Sequence, residues 1–122
     1  MSDLVGTCPK DFWKDWLAEG GLPGEDPGPW SEWSWYSNHP LAASIQPGDR
    51  FYIVAHGRLR GYAPVVRVES PACDNHNYKY AIIRRFGAVA VTIPQEIRGF
   101  RGLRIRWWDR QDEIPFPNWK EP

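Results

Sequence analysis

The stretch 47–70, PGDRFYIVAHGRLRGYAPVVRVES, constrains the fold of this chain more than any other. Over 50–56 the residues alternate, with Phe51, Ile53 and Ala55 on one side and Tyr52, Val54 and His56 on the other. That period of two is the pattern of a strand with two usable faces. Gly57 interrupts it, and a Val-rich run over 58–69 follows, punctuated by Gly61 and Pro64. Two extended runs with a glycine break predict a hairpin, or a strand bent sharply at a barrel corner. Arg50, Arg58, Arg60 and Arg67 also lie here, so the stretch is the expected centre of the fold and a candidate working surface.

Composition supports the same class. The 122 residues are the size of one domain, whose core needs no disulfide or metal to hold it. Eight Trp, five Tyr and five Phe, with twelve Pro and eleven Gly, describe a small, loop-rich β fold with few long apolar runs. The first residues, MSDLVGTCPKDF, carry neither a basic n-region nor an apolar core, and no run approaches membrane-spanning length. Cys8 and Cys73 are therefore expected as reduced thiols in a cytoplasmic protein.

The zero net charge hides an asymmetry. Residues 1–49 hold two lysines against eight carboxylates, whereas residues 50–110 hold twelve Lys and Arg against four. Eleven of those twelve cations are Arg, the side chain suited to phosphate forks and to stacking on rings. Two readings are open: an anionic partner for the middle segment, or an acidic N-terminal part packed over a basic sheet.

Along the chain, 9–19 (PKDFWKDWLAE) is the expected helix, with Pro9 at its first position and Gly20-Gly21 as its stop. Phe12, Trp13, Trp16 and Leu17 form one broad apolar stripe that docks on the sheet. Residues 22–29 are a Pro/Gly loop. Over 30–39 comes the densest aromatic patch, where Trp33 and Trp35 alternate with serines and share one strand face. Asn38 is the expected N-cap of a short second helix over 40–45. Strands are expected over 78–86 and 88–93, as a hairpin about Gly87, and over 103–109. In the last of these, Leu103, Ile105 and Trp107 should share one face, opposite Arg104, Arg106 and Trp108. The Pro-rich end should lie across the barrel, pinned by Phe116 and Trp119.

The order of these elements, and the residues WSWYSNHPLAASIQPGDRFYIVAHGRLRGYAPVVRV in particular, are similar to the PUA-like superfamily, the small pseudo-barrels that include PUA, ASCH, EVE and YTH domains. The matching pieces are the aromatic segment 33–38, the short helix 40–45, Gly48-Asp49, the strand 51–55 and the Gly-led strand 61–68. The resemblance implies an α+β, mainly β pseudo-barrel with one N-terminal helix and a short second helix, in a single domain. No counterpart of the G-x-K lysine motif of ASCH proteins occurs, since Lys10 and Lys14 both lie on the helix. The closing GFRGLRIRWWDR also resembles short phage and prophage proteins.

Members of that superfamily bind RNA or DNA, and some receive a flipped or modified base in an aromatic pocket. Trp33, Trp35, Tyr36, Ser37 and Asn38 are the positions the resemblance marks for such a pocket. Rings hold a base by its π face, and Ser or Asn reads an edge. Packing is the competing role of each Trp, yet Trp30, Trp33, Trp35 and Tyr36 together exceed what one strand face of so small a core can bury. Arg58, Arg60, Arg84, Arg85, Arg101, Arg104 and Arg106 are the candidate phosphate contacts, with Gly99 and Gly102 allowing close approach of a backbone.

Other chemistry is thinly represented. Cys73 and His76 have a usable spacing for a metal, but no second pair accompanies them, so neither metal nor cofactor is expected. His56, with Asp49 or Glu69 and near Tyr52, is the candidate general base. The expectation is a nucleic-acid-binding module with no membrane role. The alternatives are a small nucleoside- or nucleotide-acting hydrolase of ASCH type, or a domain that binds another protein through exposed tryptophans.

Overall fold

The computed structural model describes residues 2–19, 32–72, 75–85 and 88–122. At its centre lies β3 (Arg50–Ala55), paired antiparallel with β4 (Arg58–Glu69) and parallel with β1 (Leu4–Thr7). Its alternation is burial on both faces. Phe51 and Ile53 join Leu4, Trp16, Ile82 and Leu103 in one cluster, while Tyr52 and Val54 join Val5, Leu59, Ile93 and Trp108 in another. The β3–β4 connection is a two-residue turn with φ of 49° at His56 and 76° at Gly57. Positive φ at both central positions matches the twist of the strands it joins.

The six-stranded sheet runs β2-β5-β4-β3-β1-β7, with β2 at Trp33–Ser37, β5 at Tyr80–Arg84 and β7 at Leu103–Ile105. It is mainly a β structure with few helical residues. β4 is the bent strand: its first half pairs with β3 and its second with β5, with register shifts between Ile53 and Val54 and between Val65 and Arg67. Such irregularities bend a strand and sharpen its twist. At the bend Gly61 has φ of 146°, and a Cβ there would overlap the carbonyl oxygen of Val89. The 88–90 segment crosses at this point, where Tyr62 and Val89 exchange both backbone hydrogen bonds at 3.0 and 2.8 Å.

The resulting curl is measured by Trp35. Three strands separate β2 from β1 in the sheet. Yet the Trp35 ring lies directly on β1, where a Cβ on Gly6 would sit 2.8 Å from Trp35 Cζ2. The sheet is thus a half-barrel, closed on its inner side by aromatic packing.

Several local expectations change. Over 9–19 the chain forms a 3-10 turn at Lys10–Phe12 and then α1 (Trp13–Glu19). The 40–45 helix is a 3-10 turn, Pro40–Ala43, and its cap is His39 rather than Asn38. His39 Nδ1 accepts the Leu41 N–H at 3.1 Å, whereas Asn38 Oδ1 accepts the Lys79 N–H at 2.8 Å and so serves the turn before β5. Gly87 and the 22–29 loop lie outside the described residues. The 88–93 segment does not pair with β5: only β6 (Val91–Thr92) is a strand, and its partner is β8 (Ile114–Pro115).

The alternation expected over 103–109 is also overturned. Leu103 is buried, but Ile105 and Trp107 are 52% and 51% exposed and Trp108 only 8%. The reason is a competing polar demand. β7 ends at Ile105, and the Trp108 indole turns inward to donate its Nε1–H to Glu113 at 2.9 Å, edge-on to the Tyr52 ring at 5.1 Å.

Two buried carboxylates tie the chain ends to this frame. Glu113 also accepts from Tyr52 Oη at 2.5 Å and Arg50 Nη1 at 3.1 Å. Burial and the neighbouring Glu113 charge push the Tyr52 hydroxyl far above the usual phenol range. Asp3 accepts from the Arg50 backbone N–H at 2.9 Å and from the Arg106 and Arg110 guanidinium groups at 3.0 and 2.9 Å. Burial alone would raise the Asp3 carboxyl, but these donors outweigh it and hold the group below the ordinary carboxylate range. No helix among the described residues is long and apolar enough to cross a membrane.

Candidate functional site

Where β2 curls over β1, the α1 stripe does not fill the space it leaves. A cavity of about 270 Å³ remains, walled by Phe12, Trp16, Trp35, Tyr36 and Tyr78, with Arg84 set into it and Ile53, Cys8, Pro9 and Ser34 completing the lining. Its walls come from five places: the segment after β1, the helical turns, the edge strand β2, Ile53 of β3, and the end of β5 with the turn before it. Trp35 packs against Phe51 with ring centroids 4.9 Å apart, and Tyr36 stacks on Tyr78 at 5.6 Å. Both residues line the cavity, and each ring is fixed by an aromatic neighbour.

Arg84 is the unusual member. Its residue is 3% exposed, and its guanidinium carbon lies 5.6 Å from the centre of the Phe51 ring. A cation that deep is held by ring faces and by polar partners. Trp16 is 2% exposed, and its Nε1–H makes no hydrogen bond among the described residues. Most buried donors do make one, so this donor needs an account.

A more open groove of about 440 Å³ adjoins the cavity, sharing Pro9, Trp35, Tyr36 and Tyr78 with it and continuing past Ser37, His39, Phe100 and Arg101. Gly102, with φ of 74°, brings the backbone against His39 here.

Of the aromatic-segment residues, the fold brings Trp35 and Tyr36 to the cavity and leaves Trp33 half-buried opposite Arg84 in the strand pairing. Ser37 and Asn38 are occupied. Ser37 Oγ accepts the His39 N–H at 3.0 Å, and the Asn38 amide bonds to Asn77 and Lys79. They line the open groove but their polar atoms already serve the fold.

The candidate arginines do not share one groove. Arg84 enters the cavity and Arg101 stands on the groove beside it. Arg60 is buried at the far end, donating to the carbonyls of Ala55, His56, Trp119 and Glu121 and stacked between Trp13 and Phe116. Burial and the neighbouring Arg58 charge lower its affinity for the proton. Arg58 sits over the same Phe116 ring. Arg106 is committed to Asp3. Arg104 is exposed over the Phe100 ring at 4.2 Å, and Arg85 is half-buried and contributes to the field that holds down the Glu32 carboxyl. Arg67, not a candidate, forks onto Glu32 at 2.6 and 2.8 Å. Part of the charge asymmetry is therefore spent inside the molecule, on Asp3 and Glu32, and part remains at Arg101 and Arg104.

The general-base arrangement is not assembled. His56 lies in the β3–β4 turn with its ring edge-on to Trp13 at 5.0 Å. Asp49 accepts from the backbone of Ser2 and Gln46, Glu69 from Arg67, and Tyr52 serves Glu113. Cys73 lies outside the described residues, and among those described no group of three or more metal-ligating side chains occurs.

Phe12, Trp16, Cys8 and Tyr78 are cavity residues that sequence reasoning left out. The helical stripe held the signal for the first two, since Phe12 and Trp16 are four apart on one face. Docking of that stripe was anticipated; that it would stop short of Trp35 was not. Comparison of the chain with protein-family models, curated proteins and solved structures gives no match.

Proposed function

We propose that this chain is a nucleic-acid-binding module that takes a single unpaired or modified base into the cavity of Trp35 and Arg84, with Arg101 and Arg104 contacting the backbone outside. The reading rests above all on one observation: five aromatic residues and a buried arginine line a cavity of about 270 Å³. That is just below the ~300–1,000 Å³ of sites for drug-sized ligands and suits one base rather than two. Stacking on such rings is worth ~1–3 kcal/mol per base, and the exposed arginines add a term that salt weakens. A mainly β, barrel-like domain with an aromatic segment before its central strands is also what the PUA-like resemblance implies, and we carry that assignment, and a cytoplasmic setting, within the same proposal.

The test is tryptophan fluorescence during titration with a short single-stranded oligonucleotide at low salt. The proposal expects saturable, salt-sensitive binding that Trp35→Ala abolishes and His56→Ala leaves intact. Absence of any response at low salt, or equal binding by Trp35→Ala in a folded state, would contradict it.

A further inference from the structure

Trp107 is a large side chain that the fold leaves half in water. It is 51% exposed, while Trp108 beside it is buried with its N–H bonded to Glu113, so Trp107 is the one of the two open to a ligand. Among the described residues its ring contacts are both edge-type, to Phe100 at 6.2 Å and to Trp108 at 4.9 Å, and neither ring lies stacked on it. A ring of this size left in water forgoes its burial, and such rings are favoured where a partner binds.

The surroundings of Trp107 suit a partner that carries both flat rings and negative charge. The Arg104 guanidinium lies over the Phe100 ring at 4.2 Å. Arg98, Arg101 and Arg104 are exposed and make no ion pair among the described residues. A groove of about 860 Å³ opens beside Trp107, with Arg98 and Arg104 in its lining. Glu96, Asp109 and Asp112 line it too, so its mixed charge does not by itself select a polyanion. Continuity with the cavity decides for nucleic acid. The groove adjoining the cavity carries Phe100 and Arg101, and Phe100 in turn meets both Arg104 and Trp107. A line of rings and guanidinium groups thus leads from Trp35 and Tyr36 through Phe100 to Trp107.

We infer that Trp107 is a second stacking position, taking one base of a single strand whose other base sits in the cavity, with Arg101 and Arg104 on the phosphates between. This rests on the proposed base-binding role of the cavity, and it makes the ligand a single-stranded run rather than a lone nucleotide or a duplex. Bases inside a duplex are stacked on one another and out of reach of such a ring. Every base has a π face, so this position adds affinity and not sequence choice.

The experiment follows the fluorescence anisotropy of two end-labelled strands of equal length at low salt, one with every base present and one with a single base and abasic sites elsewhere. Equal length keeps the phosphate charge the same. The unaltered protein should bind the complete strand at least about fivefold more tightly, the lower end of what one stacked ring contributes. Trp107→Ala should weaken the complete strand by a similar factor and leave the abasic strand unchanged, and Trp107→Phe, which keeps a ring, should restore most of the loss. The two strands compared on the unaltered protein need no variant. Equal binding of both strands, or a complete strand that Trp107→Ala binds undiminished, overturns the inference, and the cavity reading stands if Trp35→Ala still abolishes binding. A Trp107→Ala loss that is the same for both strands overturns it by removing stacking as the cause. A duplex of the same length that binds as tightly as the single strand overturns it as well. Failure of both strands to bind the unaltered protein removes the cavity reading too.

Discussion

Two regions of this molecule gather the same kinds of side chain, and they have opposite fates. At the far end of the sheet, Arg60 lies between Trp13 and Phe116, and its N–H groups are consumed by four carbonyls, two of them from the C-terminal tail. At the β2 edge, Arg84 lies among Trp35, Tyr36 and Tyr78, and a cavity stays between them. The tail closes the first cluster; α1 does not close the second. Arginine beside aromatic rings is therefore no mark of a site in itself. What separates the two among the described residues is that carbonyls of the turn and the tail take up the N–H groups of Arg60, whereas a cavity of about 270 Å³ remains beside Arg84.

The largest effect should come from breaking the closed kind of region. Glu113→Ala strands the buried Tyr52 hydroxyl and Trp108 indole and leaves Arg50 without its ion pair. Loss of ~3–5 kcal/mol is expected in denaturant unfolding, the cost of removing one partner from a buried charged network. Oligonucleotide affinity of the protein that remains folded should not change. Tyr78→Ala makes the opposite case. Tyr78 is a partly exposed wall of the cavity stacked on Tyr36, so affinity should fall by ~1–3 kcal/mol in a fluorescence titration. Stability should drop by no more than ~1 kcal/mol, the value of one aromatic pair.

Asp3 offers a smaller, pH-coded effect. Its carboxyl is held below the unfolded value of 3.8, so its contribution is complete above that value and is lost as pH falls through the lower folded one. Acid titration of unfolding should show the unaltered protein losing ~1–2 kcal/mol more than Asp3→Asn between neutral pH and pH ~2. Equal acid sensitivity of the two would mean that Asp3 is not the carboxylate that matters. The smallest effect is Arg101→Ala. It should reduce the salt slope of oligonucleotide binding by about one unit and leave stability unchanged, because Arg101 is exposed beside the groove.

The central strand was legible in the sequence because its constraint is local: each residue from Phe51 to Ala55 reports its own side of the sheet, and Gly57 and Gly61 mark the turn and the bend. β1 was not, since Leu4–Thr7 is too short to show a period and its parallel partner is distant in sequence. The 103–109 run shows how a clean alternation fails. Its period was real, but one indole N–H facing Glu113 outweighed the apolar pattern and reversed which tryptophan is buried. The site was half legible. Trp35 and Tyr36 were marked by their density, but the cavity also depends on how far β2 curls back over β1, and that is not written in a local pattern.

The most direct measurement is the set of indole N–H signals in a proton–nitrogen correlation spectrum, assigned by single Trp→Phe substitutions, with and without a short single-stranded oligonucleotide. The two regions then act as each other's control. The Trp16 and Trp35 indole signals should move on binding, because both line the cavity, while that of Trp108, already bonded to Glu113, should stay in place. Movement of Trp108 with Trp16 and Trp35 unmoved, or a spectrum the oligonucleotide leaves unchanged, would contradict the account.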